Sequence, residues 1–266
     1  MINDGTSILI CSWNNLPFLK ITIDSIKKNS VFDHQILVHV QEGTDGTIEW
    51  LNKNNIQYTF SRENIGICSG FNTIEKLATK DWICMLDDDM YLLPEWDSKI
   101  YEFYVENNMS DCSWLSSTMI ERTNTSFASV IPFQDYGGHP EEFNEKELLI
   151  NYKKISENQN HINHNSTHPL VIKKEYFDKV GGYDTDFDPS PGSEEGFAKR
   201  MFDIGCRDFV AIKDSLVYHF GSITNRKNNN LIKKNSRHTF ISNYGMTMDE
   251  FFIEIDKNGI WKPKNN

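Results

Sequence analysis

No apolar run in this 266-residue sequence approaches the ~20 residues needed to span a bilayer. The opening Met-Ile-Asn-Asp-Gly-Thr lacks the basic-then-apolar order of a signal peptide. The expectation is a soluble, cytoplasmic protein with at most peripheral membrane contact. Cysteine is scarce: Cys11, Cys68, Cys84, Cys112 and Cys206 contain no CxxC pair, are odd in number and sit mostly in or beside apolar segments. That pattern excludes a disulfide framework and suits reduced, buried thiols. Positive charge is also short. A net charge of −11 disfavours unselective binding of nucleic acid and adhesion of the whole body to an anionic membrane. Internal repeats are absent, as is a Gly-rich loop with a basic residue after the first apolar run, where Ser12 to Leu16 stand instead.

What is present suffices for one large α/β domain or two small ones. Hydrophobic residues make up 38% and aromatics 12%, while a mean hydropathy of −0.53 indicates polar loops around the core. The most informative stretch is Trp82-Ile83-Cys84-Met85-Leu86-Asp87-Asp88-Asp89, a short buried strand that ends in three consecutive carboxylates. Three adjacent like charges cost Coulomb energy that a cation can offset. Hard divalent ions such as Mg²⁺ or Mn²⁺ take oxygen ligands and bridge carboxylates to substrate phosphates. Ligands of open α/β sheets sit outside the carboxyl ends of strands, where this triplet falls. The plain alternative is a solvated acidic turn.

The first half alternates strand and helix patterns. Ser7 to Cys11 reads as a central parallel strand, and Pro17 opens a helix with Asn15 as its cap. Strands at Gln35 to Val40 and Gln57 to Phe60 flank a helix at Ile48 to Asn52, and a further helix at Thr73 to Thr79 leads to the acidic strand. Short strand–helix alternation implies a mostly parallel sheet with right-handed crossovers. Pro94-Glu95-Trp96 opens an amphipathic helix, followed by a strand at Cys112 to Met119. Residues 134–168 read as a polar surface loop with a helix at Glu145 to Lys154. Beyond it come an apolar run at Pro169 to Ile172, a helix at Gly192 to Ile204, and short strands at Phe209 to Ile212 and Leu216 to Phe220. A last helix lies near Met248 to Asp256.

The order of these segments resembles the family 2 glycosyltransferases. The donor half of that family is matched by the first strand and its Pro-started helix, the Gly43-Thr44-Asp45-Gly46-Thr47 turn, Asn64-x-Gly66 with Asn72, and Leu86-Asp87-Asp88-Asp89. Phe177 to Asp184, Gly192-Ser193-Glu194-Glu195-Gly196 and Gly205 are similar to its acceptor half, and His219-Phe220-Gly221-Ser222 to its late His-bearing segment. The likeness covers roughly residues 6 to 222. It implies a GT-A, Rossmann-like α/β fold with a central sheet flanked by helices. One domain over 1–266 is expected, with a nucleotide-sugar half to about 110, an acceptor half to 222 and a C-terminal loop and helix from 223. It also implies a metal-dependent, inverting transfer of sugar from a nucleotide-sugar, UDP-linked, to a hydroxyl of a glycan, glycolipid or glycoprotein. Three departures stand out: Gln41-Glu42 replaces the usual Asp after the second strand, Glu194-Glu195 replaces a Glu-Asp pair, and the polar insert at 134–168 has no recognised counterpart, which leaves the acceptor's identity open.

By that resemblance Asp87 contacts ribose or metal, Asp89 ligates Mn²⁺ or Mg²⁺, Asp88 serves either role and His219 completes the site, against the reading of His219 as a structural residue. Ser12, Trp13, Asn14 and Glu42 would meet the nucleoside, with Trp13 either stacking on the base or packing in the core. Arg62 and Asn64 would approach nucleotide or phosphates, where Gly66 and Gly70 permit close backbone approach. Glu195 is the candidate general base, its carboxylate favoured by a helix N-terminus, with Glu194 as second contender; the alternative is that both simply suit a first helical turn. His161, His164 and His168 lack companion ligands and read as loop. Arg226, Lys227, Lys233, Lys234 and Arg237 form a basic loop that either closes over the diphosphate or stays solvated. Other readings are a non-catalytic nucleotide- or carbohydrate-binding relative, which the two acidic clusters argue against, and a sugar nucleotidyltransferase, which the missing Gly-rich loop argues against.

Overall fold

The computed structural model describes residues 2–122, 130–131, 134–157, 160–163, 168–189, 191–221, 236–259 and 261. Its first strand, β1 (Ser7–Trp13), buries Ile8, Leu9 and Ile10 completely, as a strand covered on both faces must. Each such side chain contributes about 1.5–3 kcal/mol of burial. The next elements are α1 (Leu16–Asn29), β2 (Gln35–Gln41), α2 (Thr47–Lys53), β3 (Gln57–Ser61), α3 (Ile67–Ile74), β4 (Trp82–Asp87), β5 (Met90–Leu92) and α4 (Trp96–Glu106). Then follow β6 (Ser113–Glu121), β7 (Val130–Ile131), α5 (Glu145–Glu157), β8 (Ile162–Asn163), β9 (Leu170–Lys173), α6 (Lys174–Val180), α7 (Ser193–Asp203), β10 (Asp208–His219), α8 (Ser236–Tyr244) and α9 (Met248–Asn258).

One sheet carries the order β3-β2-β1-β4-β9-β6-β10-β5, with β7 beside β6 and β8 beside β10. The pairs among β1, β2, β3 and β4 are parallel, as are β6 with β10 and with β7. β9 runs antiparallel between β4 and β6, so it seams the first half of the sheet to the second. Apolar clusters fill both faces. One packs α1, α4 and β10 together, and another holds Phe71, Trp114, Phe177, Tyr183 and Phe197.

Several sequence expectations shift. The third helix begins at Ile67, not Thr73, because Asp188 from a distant segment satisfies its first backbone N–H groups. The two short C-terminal strands form a single strand, β10, with a bulge between Ile212 and Leu216. Asn15 stands at the N-cap of α1, but its side chain makes no cap hydrogen bond; its amide instead donates to Asp88 Oδ1 at 3.0 Å. The stretch 134–168 is not merely surface: Tyr136, Leu148 and Ile155 are buried against Phe18, Tyr91 and Phe220. Among the described residues no helix is long and apolar enough to cross a membrane, and all five cysteines are free thiols.

Candidate active site

The acidic triplet stands where the sheet geometry requires a ligand pocket. β4 ends at Asp87, and β5 turns back from Met90 to pair antiparallel with Val217 to His219 of β10. The pairing of β5 with β10 brings His219 onto the triplet from a strand far along the chain. Asp87, Asp89 and His219 each offer one ligand atom, all within 4.8 Å of one another. Two carboxylate oxygens and an imidazole nitrogen are a donor set that suits Mn²⁺. His219 Nε2 lies 3.3 Å from Asp89 Oδ1, and its Nδ1 lies 2.5 Å from Glu121 Oε1 at the end of β6. Burial alone would depress the His219 pKa, but Asp89 and Glu121 hold it well above the ordinary value. Both carboxylates are themselves nearly inaccessible.

Asp88 points the other way, under α1. It is 4% exposed, and burial together with the Asp89 charge pushes its pKa up to about 8. Asn15 serves its Oδ1, while Oδ2 has no hydrogen-bond partner. The nearby Ser12 hydroxyl tempers that carboxyl without forming a well-shaped hydrogen bond, and the Trp13 indole N–H is likewise buried and unpartnered. Asp88 Oδ2 thus leaves unsatisfied polar capacity next in sequence to the donor set of Asp87, Asp89 and His219. The residues fit a divalent ion and its anionic cargo.

At the mouth of β1 and β2, Asn14 and Glu42 both adopt left-handed backbone, with φ of 48° and 62°. Asn14 donates to Glu42 Oε2 at 3.0 Å and accepts from the Thr44 N–H at 2.8 Å, which fixes the turn. Gln41, one residue earlier, uses Oε1 to accept from the Ile65 and Gly66 N–H groups. Arg62 is exposed, and Asn64 closes a local turn by accepting from Gly66 N–H at 2.9 Å. The close approach at Gly66 is made by Asp188: a β-carbon there would stand 2.1 Å from its carboxylate oxygen. The anion seated on the first turn of α3 is thus the protein's own. Gly70 makes room for Cys11 Sγ and the His39 ring.

On the acceptor side, Gly192 takes φ of 94° to start α7, and Glu194 and Glu195 occupy its first turn. Burial, then the neighbouring Glu194 charge, lifts the Glu195 pKa to about 7. Ser193 donates to Glu194 Oε2 at 2.8 Å.

The expectation that His168 is loop is overturned. Only 3% exposed, it lies 2.9 Å through Nδ1 from Asp87 Oδ1 and 3.2 Å through Nε2 from the Tyr183 hydroxyl, with Glu194 Oε1 at 3.9 Å. Burial would lower its pKa, yet Asp87 raises it, and His168 in turn holds Asp87 below the usual carboxylate range against burial. The sequence signal that could have found it was its place directly before the Pro169 strand. His161 instead packs on Phe103 and Trp261, and His164 lies outside the described residues. So do Arg226, Lys227, Lys233 and Lys234; Arg237 is in α8. Glu121 was missed altogether, since the strand was expected to stop at Met119.

Comparison with solved structures returns the crystal structure of S. aureus TarS at a TM-score of 0.57 and 14% identity, over 80% of this chain and 36% of that one. The crystal structure of S. aureus TarS 1-349 aligns at 0.57 and 15% identity, over 80% and 59%. Its complex with UDP gives 0.57 and 13%, over 80% and 59%. The chain therefore spans between 36% and 59% of the length of these proteins, and at such identities the likeness is one of fold. No curated protein sequence matches significantly. Residues 7–181 match the profile of glycosyl transferase family 2, a span that includes β1 to β6 and the acidic triplet. The arrangement is the GT-A fold, and the chain belongs to glycosyl transferase family 2.

Proposed function

We propose that this glycosyltransferase moves a sugar from a UDP-sugar to a hydroxyl of a glycan, glycolipid or glycoprotein acceptor with inversion, using Mn²⁺ or Mg²⁺. The observation that carries the reading is the cluster of Asp87, Asp89 and His219, with His168 lying between Asp87 and Glu194 of α7. A UDP complex of the similarly folded TarS supports the choice of nucleotide.

In this reading residues 1–110 bind the donor, 111–222 the acceptor, and the remainder completes one domain. Asp87, Asp89 and His219 hold the cation, which when bound neutralises charge on the departing diphosphate as a Lewis acid. Ser12, Trp13, Asn14 and Glu42, at and just beyond the ends of β1 and β2, take the nucleoside, and Asp88 serves the nucleotide or the ion. Arg62 and Asn64 flank the phosphate path, and Gly70 sets α3 close against β1. Glu195 accepts the acceptor hydroxyl proton as the oxygen attacks the anomeric carbon, and the bond from that carbon to the diphosphate breaks. A carboxylate with a pKa of about 7 retains enough basicity to do so near neutrality while still being substantially ionised. Glu194 binds acceptor hydroxyls beside it.

The test is thermal-shift screening of UDP and UDP-sugars with and without Mn²⁺, followed by donor hydrolysis on those that bind. A stabilisation by UDP that requires the ion is expected; no ion-dependent response to any nucleotide overturns the reading.

A further inference from the structure

We propose that His168 is a positioning residue: by tying the Asp87 carboxylate to Tyr183 on the acceptor side, it sets that carboxylate for the cation. This rests on the preceding reading of Asp87 as a metal ligand.

His168 stands at the entry to β9, the antiparallel strand that joins the two halves of the sheet. Its ring therefore lies at the seam, with one nitrogen toward each half. An ionised carboxylate only accepts, so Nδ1 donates to Asp87 Oδ1 at 2.9 Å. In the neutral ring Nε2 is then left to accept the Tyr183 hydroxyl proton at 3.2 Å. One oxygen of Asp87 is held, its side-chain torsion is fixed, and the second oxygen is left for the Asp89 and His219 cluster.

The anchor at the other end is rigid. Asn72 clamps both backbone groups of Tyr183, donating to its carbonyl and accepting from its N–H, each at 2.8 Å. The Tyr183 ring stacks on Phe71 at 5.3 Å and on Phe197 of α7 at 4.4 Å, while Phe71 meets the His168 ring edge-on at 5.4 Å. Phe197 shares α7 with Glu194. The buried imidazole thus connects β4, α3 and α7. A carboxylate 32% exposed, such as Asp87, would otherwise sample several torsions, and a misplacement of about 1 Å can cost a hundredfold in rate.

The substitutions separate a positioning role from simple packing. In the full chain, His168→Phe keeps ring volume and removes both polar links; His168→Asn keeps an amide N–H where Nδ1 stands; His168→Gln carries its amide toward the Nε2 side. The readout is the Mn²⁺ concentration at half-maximal UDP binding by calorimetric titration, with thermal midpoints as a check on folding. H168F is expected to raise that concentration by about 10–100-fold, the usual effect of losing a partner to a metal ligand, and H168N to return it to within about threefold of the parent. Tyr183→Phe should shift it in the parent by no more than that same threefold and add nothing in H168N, where the link is already cut. If H168F does not fold, H168N against H168Q decides the point, Asn retaining metal affinity and Gln losing it. Equal Mn²⁺ requirements in H168N and in H168F or H168Q, or an unchanged requirement in H168F, would overturn the proposal while leaving the parent's UDP binding intact. A parent chain without Mn²⁺-dependent UDP binding overturns the functional reading itself, and this proposal with it.

Discussion

Glu121 Oε1 accepts the Nδ1 proton of His219 at 2.5 Å, across 98 residues of sequence. The contact leaves Nε2 as the imidazole nitrogen facing Asp89, and in the proposed metal site the carboxylate behind His219 would make it a stronger ligand. Glu121→Gln retains shape and removes the charge. We expect Mn²⁺-supported UDP binding to weaken about tenfold, read by titration of the ion at fixed UDP; an unchanged ion requirement in a folded variant would contradict the arrangement.

Removing a ligand should matter more than removing its support. Asp89→Asn is expected to lower donor hydrolysis by about 10²–10³-fold, the scale of losing one preorganised electrostatic contact to a leaving group. Chelation by EDTA should abolish UDP binding in the parent and change little in D89N.

Proton abstraction by Glu195 has a pH signature. Burial and the Glu194 charge set its pKa at about 7, and only the deprotonated form is a base. Transfer should rise as pH climbs through about 7 and level off above it. Glu195→Gln should remove both the rate and that rising limb while UDP affinity stays near the parent's; a surviving limb would move the role to another group.

A second pH effect concerns stability. His39, fully buried between β1 and β3 with Thr59 Oγ1 at 2.8 Å from Nδ1, has its pKa pulled down to about 4 by burial. Unfolded, it gains a proton below about 6.5; folded, only below about 4. The stability this neutral histidine contributes is present above pH 6.5 and is lost as pH falls through about 4, to a total of up to about 3 kcal/mol. In His39→Gln, chemical denaturation at pH 7 and at pH 4.5 should show that part of the acid sensitivity gone.

Asp188 ties the segment before α7 to α3 by accepting from Cys68 N–H at 2.8 Å and Ser69 N–H at 3.0 Å. Asp188→Ala should leave both donors unpaired in a partly buried place and cost about 1–3 kcal/mol in urea denaturation. A cost below about 0.5 kcal/mol would show that solvent replaces the carboxylate.

Much of this was readable in the chain. The unbroken apolar runs at Ile8 to Ile10 and Ile83 to Leu86 gave strands buried on both faces, and Asp87 to Asp89 at a strand tip gave the candidate cation site together with its position. The start of α3 was not readable: Ile67 to Phe71 carries no local cap, because its cap is Asp188. Nor was Glu121, which sits in a wholly buried strand where a charge reads as a strand end.

Hydrophobic period and turn chemistry are local, so the sequence alone determined β1 to β4 and β6 as strands, the alternation of strand and helix in the first half, and the carboxylates at the end of β4. Strand order in space is not local. Only the tertiary structure decided that β9 would lie between β4 and β6 and β10 beside β5, and that order brings His168 to Asp87 across 81 residues, Glu121 to His219 across 98, and Asp188 to α3 across 120. Those meetings depend on how a whole sheet buries its two faces, a sum over many side chains that no single window of sequence contains.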